Sequence, residues 1–415
     1  MWTIAIGALT CLAWFWLLFF RGRFWQTHLQ LTAQPLSKKH QTFNWPSVCA
    51  IVPARNEADM IPQTLGALLN QSYQGHFSVI LVDDQSHDET VQEAKKTAVL
   101  SKHPERLTIV SAPPLPEGWA GKVWAMQTGL LHVPVDTDFL WFTDADIFHP
   151  PHSLERLVDK ACRESFDLVS IMVRLHFTGF WGSLMIPAFV YFFAKLYPFR
   201  WVSRDHHPKA AAAGGSILVR HSFIGTEDGL APIAGALIDD CSLARLVQSR
   251  KGKLWLGLGN EVTSLRAYPG LGAVWKMVTR SAFVQLRYSL WLLLGTVLGM
   301  LLLYVCPVVL ACTSLFRIVE KLISPATENF LHILGTQLLL SAALNVSAWV
   351  LMSISFIPIL RWYRVQTWRA ALLPLCGFFY TCMTIDSARR FWQQQADAWK
   401  GRPFQPMPNK PTRHP

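Results

Sequence analysis

Phe139-Leu140-Trp141-Phe142-Thr143-Asp144-Ala145-Asp146 opens as a short apolar run and ends in two carboxylates one residue apart. An apolar run of this length reads as a buried strand of a parallel sheet. In open α/β sheets, ligands bind just beyond the carboxyl ends of such strands. Asp144 and Asp146 are therefore expected to project into a crevice, on the same side, because side chains two apart share one face of a strand. Two carboxylates that close repel each other unless a cation or a donor shares the site. A divalent metal carrying a diphosphate meets that need, since Mg²⁺ prefers one or two protein carboxylates plus phosphate oxygens. The competing reading is an Asp-x-Asp that merely ends a strand, and the rest of the chain bears on the choice.

Upstream, Ser47 to Pro53 and Phe77 to Val82 read as further strands, the second ending in Asp83-Asp84. Leu107 to Val110 is a third. Ala54-Arg55-Asn56-Glu57 is a turn, and the helix from Ile61 carries Leu65, Leu68 and Leu69 on one face. Ser86, Asp88 and Thr90 open the next helix, with an acid near its N-cap. Strands alternating with helices predict a mostly parallel, doubly wound α/β sheet with a nucleotide crevice at its carboxyl edge. Gly118 to Lys122 is a glycine-flanked loop leading into a helix over Val123 to Leu131, which sets Lys122 at a helix N-terminus, a good anion site.

Downstream, Asp167 to Val173 and Ile217 to Val219 are apolar strands. The small residues of Ala210 to Ser216, Gly215 among them, permit close approach by a substrate or another backbone. Leu237 to Leu243 starts a helix with adjacent acids, Asp239 and Asp240. These are either first-turn acids favoured by the helix dipole or a base at the crevice edge.

The chain has 415 residues, 51% hydrophobic and only 16% charged, with a net charge of +11. That is too apolar for an ordinary soluble enzyme and too polar in its middle for a pure transporter. A basic balance beside apolar spans fits an anionic membrane surface and nucleotide diphosphates. No nucleic-acid reading motif is present, which argues against that partner. Eight cysteines without a C-x-x-C pair read as structural thiols in a reducing compartment.

Trp2 to Phe20 is long enough to span a bilayer, and Arg21 and Arg23 place its far end in the cytoplasm. Lys38, Lys39 and His40 continue a basic linker. Trp181 to Trp201 is aromatic but interrupted by Pro187, Lys195, Pro198 and Arg200, so an amphipathic segment in the membrane interface is expected. Leu290 to Ser314 and Leu331 to Leu360 form a hairpin of spans, followed by Arg361, Arg364 and Arg369 on the cytoplasmic side. Ala370 to Ile385, interrupted by Pro374, is expected to be re-entrant or interfacial. The Pro-rich tail from Pro403 is expected to be disordered. The organisation is an anchor (1–22), a catalytic domain (45–287) with its interfacial segment, a transmembrane region (288–388) and a basic tail (389–415).

Val52-Pro53-Ala54-Arg55-Asn56-Glu57, Val82-Asp83-Asp84-Gln85-Ser86-His87-Asp88, Gly121-Lys122, Asp144-Ala145-Asp146 and Asp239-Asp240 appear in an order that resembles the family 2 glycosyltransferases, which have the GT-A fold. With hydrophobic segments at both ends, the chain is most similar to the bacterial hopanoid-biosynthesis-associated membrane glycosyltransferases. The resemblance implies that Pro53 and Glu57 line the nucleotide pocket, that Asp84 meets a uracil-type base, and that Lys122 approaches the nucleotide. It also implies that Asp144 lies near ribose and metal, that Asp146 ligates Mg²⁺ or Mn²⁺, and that Asp240 is the base, with Asp239 beside it. A UDP-linked donor, a lipid acceptor and a bacterial inner membrane with the catalytic domain in the cytoplasm follow from the same resemblance. Polymer-forming members carry Gln-x-x-Arg-Trp. Here Gln285-Leu286-Arg287-Tyr288 is one residue short, with Tyr for Trp, which argues against processive synthesis and leaves Gln285 and Arg287 as acceptor contacts.

One base suffices for single displacement with inversion. A membrane scaffold with an inactive sugar-nucleotide fold is one alternative. Another is a two-metal nucleotidyl transferase using His206-His207, although adjacent histidines point different ways on most backbones.

Overall fold

A computed structural model describes residues 1–31, 44–225, 228–323 and 328–393. The basic linker at Lys38 to His40 and the tail beyond Pro403 lie outside them. The chain divides into two compact units. One is an α/β unit, His28–Phe177 with Phe199–Ala267. The other is helical: Met1–Thr27, Thr178–Pro198 and, within the described residues, 268–393. The α/β unit runs to Ala267 in this division.

Its sheet has nine strands: β1 (Gln30–Leu31), β2 (Val48–Ala54), β3 (Phe77–Asp83), β4 (Leu107–Ser111), β5 (Phe139–Phe142), β6 (Ile147–Phe148), β7 (Leu168–Arg174), β8 (Ile217–Arg220) and β9 (Leu254–Ser264). The order is β1-β9-β7-β8-β5-β2-β3-β4, with β6 attached to β9. The pairs β2/β3, β2/β5, β3/β4, β7/β9 and β1/β9 are parallel. β8 runs antiparallel to both β5 and β7, so the sheet is mixed. β2 is buried along its whole length, as a central strand covered on both faces must be. Its pairing with β5 stops at Ile51↔Phe142, while its pairing with β3 continues to Ala54↔Asp83. Pro53, which has no N–H, therefore sits where the β5 side of β2 has no ladder left to complete. The two neighbours part there, and the crevice opens at that point.

In the helical unit, Gly179–Leu196 is one unbroken helix through Pro187, buried without a gap from Gly182 to Ala188. An amphipathic helix lying free on a surface buries one stripe only; this one is covered all round along that stretch by its packing. Pro374 lies in the first turn of helix Leu373–Trp392, where a missing N–H costs nothing; it starts that helix rather than interrupting it. Among the described residues, five helical stretches are long and apolar enough to cross a membrane: Trp2–Phe20, Gly179–Leu196, Leu290–Lys321, Gly335–Trp362 and Thr367–Trp392. Polar groups within this unit bond locally. Asn345, buried in helix Glu328–Trp362, donates to the carbonyls of Ser341 at 2.8 Å and Thr3 at 3.3 Å.

Candidate active site

The first two strand-to-helix turns beside the crevice are stitched together. Asn56 and Gln85 both take left-handed backbone (φ 52° and 55°), a conformation Asn tolerates better than most residues. The Asn56 carboxamide accepts from His87 N at 2.8 Å, and Asn56 N donates to Ser86 Oγ at 3.0 Å. Glu57 N donates to Thr90 Oγ1 at 2.8 Å and Ala58 N to Asp88 Oδ2 at 3.1 Å. Ser86, Asp88 and Thr90 thus brace the neighbouring turn, and only Thr90 belongs to the helix that follows, Thr90–Leu100. Arg55 donates to the carbonyl of Gln85 at 2.9 Å. Asp84, at the end of β3, is fully buried.

β5 ends at Phe142, and the chain turns over Ala145 and Asp146 into β6. Strand alternation therefore does not extend to the two acids, which reach different cations. Lys122, second residue of helix Gly121–Leu130, lies 2.7 Å from Asp144 Oδ1 and 3.0 Å from Asp239 Oδ2. Arg266, just beyond β9, holds Asp146 Oδ2 through Nε at 3.3 Å and Glu57 Oε2 through Nη2. Ser264 Oγ donates to the same Asp146 oxygen at 3.3 Å. The anions that Lys122 meets are thus carboxylates. Burial alone would lower its pKa, but Asp144 and Asp239 hold the ammonium up. Burial pushes Asp144 up against the pull of Lys122, with Asp146 and Asp239 adding to the rise.

Asp239 and Asp240 open helix Asp239–Ser249. Asp240 accepts from Gly214 N at 2.9 Å and from Cys241 N at 2.6 Å, which fixes its carboxylate. Burial, then the charge of Asp239, pushes Asp240 up to about 6 against the pull of Lys122. A Cβ on Gly214 would stand 3.3 Å from Lys122 Nζ and 3.5 Å from Asp240 Oδ2, so that glycine keeps the space between base and cation open. Gly215 is small for another reason. A Cβ there would meet both Val173 methyls at 2.9 Å, and its carbonyl accepts from Thr143 Oγ1 at 2.9 Å. His149 lies 2.8 Å from the same hydroxyl and packs on the edge of Trp141; burial holds its pKa down to about 3, so the ring is neutral.

The structure therefore gathers Glu57, Lys122, Asp144, Asp146, Asp239 and Asp240 at the carboxyl edge of one sheet, with Pro53 and Asp84 in its floor. Gln285 and Arg287 belong to the helical unit, where Gln285 donates to Tyr197 OH at 2.7 Å. His207 stacks on Trp201 and accepts from Lys209 N, a loop role rather than a second metal site. Arg266 was not singled out in the sequence. The one signal for it, a basic residue ending a strand 120 positions from Asp146, gains meaning only once β6 and β9 pair.

Among the described residues, no cluster of three or more His, Cys, Asp or Glu could hold a metal unaided. Asp144 and Asp146 nonetheless suit Mg²⁺ or Mn²⁺. Both are hard oxygen donors, and the charge of Asp146 raises Asp144, a repulsion that a shared divalent cation relieves, in competition with Lys122 and Arg266.

Residues 49–223 match the family model Glycosyl transferase family 2, so this stretch is a glycosyltransferase family 2 domain. The structure is similar to the mannosyltransferase PcManGT of Pyrobaculum calidifontis in complex with GDP-Man and Mn²⁺. The TM-score is 0.50 at 17% identity, over 94% of this chain and 99% of that one. At that identity the likeness establishes a shared fold, consistent with GT-A. Two relatives are 4,4'-diaponeurosporenoate glycosyltransferases, from Staphylococcus haemolyticus (28% identical over 130 residues) and Staphylococcus aureus (32% over 127). The chain spans about a third of the length of each, 32% and 31%, and 31% and 30% of this chain is matched.

Proposed function

We propose that the chain is a membrane-bound inverting glycosyltransferase that moves a sugar from a nucleotide diphosphosugar, probed first as UDP-linked, to a lipid acceptor of hopanoid or polyisoprenoid type. The observation that carries the reading is Asp240. Two backbone N–H groups orient its carboxylate, its pKa is raised toward neutrality, and Gly214 leaves room in front of it beside Lys122. A base tuned toward the working pH is what general-base catalysis needs. The acceptor hydroxyl gives its proton to Asp240 as its oxygen bonds to the anomeric carbon, and the bond from that carbon to the diphosphate breaks on the opposite face. Lys122 stands where the departing negative charge is offset. A divalent cation held by Asp144 and Asp146 would supply further neutralisation of the diphosphate.

The five apolar helices among the described residues, and the 4,4'-diaponeurosporenoate in the names of the relatives, support a lipid substrate. Arg21, Arg23, Arg361, Arg364 and Arg369 support placing the α/β unit in the cytoplasm, and the resemblance supports a bacterial inner membrane. The sheet adds a constraint. β7 and β8 flank helix Gly179–Leu196 and pair from Leu168↔Val219 to Ser170↔Ile217. A single crossing by that helix would put two hydrogen-bonded strands on opposite sides of a bilayer. This supports an in-plane helix despite its apolar length. Val135 is 98% exposed, and Val135→Cys should resist a membrane-impermeant thiol reagent in intact cells and react after lysis.

The direct test supplies the purified full chain, in native membrane extract, with labelled UDP- and GDP-sugars in turn. Label entering an organic-phase lipid, and lost with Asp240→Asn, is the expected result. Nucleotide turnover with all label left in water-soluble product overturns the lipid acceptor, and no turnover with any donor overturns the activity.

A further inference from the structure

We propose that Arg266 is an exchangeable cation that occupies the metal position until a metal–diphosphate pair displaces it. The inference rests on Asp144 and Asp146 being the metal carboxylates. Arg266 follows β9 directly, and its backbone is fixed against the Asp-x-Asp turn. Ile147 pairs with Ser264, Phe148 pairs with Thr263, and Leu265 N donates to the Asp146 carbonyl at 2.9 Å. From that platform the guanidinium bridges Asp146 and Glu57, one acid from the Asp-x-Asp turn and one from the first strand-to-helix turn.

Three observations make this cation replaceable. The Arg266 side chain is 43% exposed, against 18% for Lys122, so water screens its pairs more than those of Lys122, although its close partner Glu57 is buried. Its contact with Asp146 is long for a charged hydrogen bond, 3.3 Å against the 2.7–2.9 Å usual for such pairs. Its long stem allows the head to move while the backbone stays pinned. A guanidinium and a divalent cation repel each other when both address one carboxylate oxygen. A diphosphate relieves the conflict, because its oxygens accept the two parallel N–H groups of an arginine fork. Metal alone must then compete with Arg266, whereas metal with a diphosphate gives Arg266 a new partner. Each ligand should strengthen the other's binding by the same factor.

The alternative is a permanent brace between the two turns. Manganese binding separates the two. Free Mn²⁺ is followed by electron paramagnetic resonance with the full-length protein in detergent, with and without UDP as the diphosphate. Arg266→Gln should raise Mn²⁺ affinity in the absence of UDP by roughly three- to tenfold, the scale of a partly exposed charge pair. Arg266→Lys, which keeps the charge, should stay near wild type. UDP should strengthen Mn²⁺ binding to wild type more than to Arg266→Gln. An Arg266→Gln protein that binds Mn²⁺ no tighter than wild type without UDP overturns the proposal. If that variant does not fold, the wild-type chain still decides: UDP that fails to strengthen Mn²⁺ binding overturns it. Asp146→Asn guards the premise. If Mn²⁺ affinity is unchanged there, the metal assignment falls and the proposal with it. If Asp146→Asn removes binding while Arg266→Gln changes nothing, only the exchange falls.

Discussion

Lys122 and Arg266 each bridge two acids in the same crevice, but from unlike surroundings. Lys122 sits in the first turn of a helix, mostly buried, with Asp144 and Asp239 against its ammonium and Asp240 close by. Arg266 reaches in from the end of β9, far more exposed, and touches Asp146 and Glu57. Removing the inner cation leaves three acids to repel one another in a half-dry pocket, whereas the outer one is 43% open to water, which screens its loss. On the proposed reading, the inner cation is a fixed electrostatic element beside Asp240 and the outer one an exchangeable element beside Asp146.

The largest effect tests the metal side as a whole. EDTA should abolish sugar transfer and Mg²⁺ or Mn²⁺ should restore it, measured as labelled lipid; full activity in chelator removes the metal from the scheme. Next, Asp240→Asn should lower kcat by roughly 10²- to 10⁴-fold, with the donor KM near wild type. A raised KM with kcat intact would make Asp240 a binding residue and Asp239 the next base to try. Lys122→Met should cost roughly 10²- to 10³-fold in kcat, comparable to losing one transition-state donor elsewhere; a loss of only a few-fold would dissolve the distinction between inner and outer cation.

The pH profile sharpens the same contrast. Asp240 works ionised, and burial with Asp239 beside it raises its pKa to about 6. Activity is therefore full above that value, and kcat/KM should fall about tenfold per unit as pH drops below it. Lys122 pulls Asp240 down, so Lys122→Met should shift this acidic limb to higher pH. An unmoved limb would mean that the titrating group is another. The smallest effect concerns Asp84. Asp84→Asn should raise the donor KM by roughly tenfold, the value of about one charged hydrogen bond, with a smaller change in kcat. Because Asp84 is fully buried, a lowered melting temperature with KM unchanged would instead make it part of the floor.

Much of this crevice is legible in the chain because it lies at the ends of local signals. β2, β3 and β5 are uninterrupted apolar runs, and the turns after them carry Asn56-Glu57, Asp83-Asp84 and Asp144-Ala145-Asp146. The paired acids at Asp239-Asp240 mark a helix start by the same local chemistry. What a linear pattern does not carry is pairing. The run Ile217 to Val219 shows a buried strand but not that it runs opposite to both neighbours. Arg266 meets Asp146 only through the β6–β9 ladder. Prolines mislead for a related reason: Pro187 and Pro374 look like breaks, but one is accommodated within a buried helix and the other lies in a first turn. The Gln285 to Tyr288 segment is readable as a motif, yet it folds with the helical unit.

The place of helix Gly179–Leu196 also sets an order of events during synthesis. β7 finds both of its sheet neighbours, β8 and β9, only after that helix in the chain, and β5 gains its second neighbour only with β8. About 80 residues separate the end of β5 from the end of β8, so at 5–20 residues per second the ribosome needs roughly 4 to 16 seconds to cover them. Through that interval the nascent sheet carries an open edge at β5 and a solitary β7, while an apolar helix of the other unit emerges. An apolar helix seeks lipid quickly. On the proposed membrane-bound reading, its move to the bilayer precedes the arrival of β8, Asp240, β9 and Arg266, and the crevice closes last. A chain cut before Ile217 would present those edges permanently, as templates for aggregation.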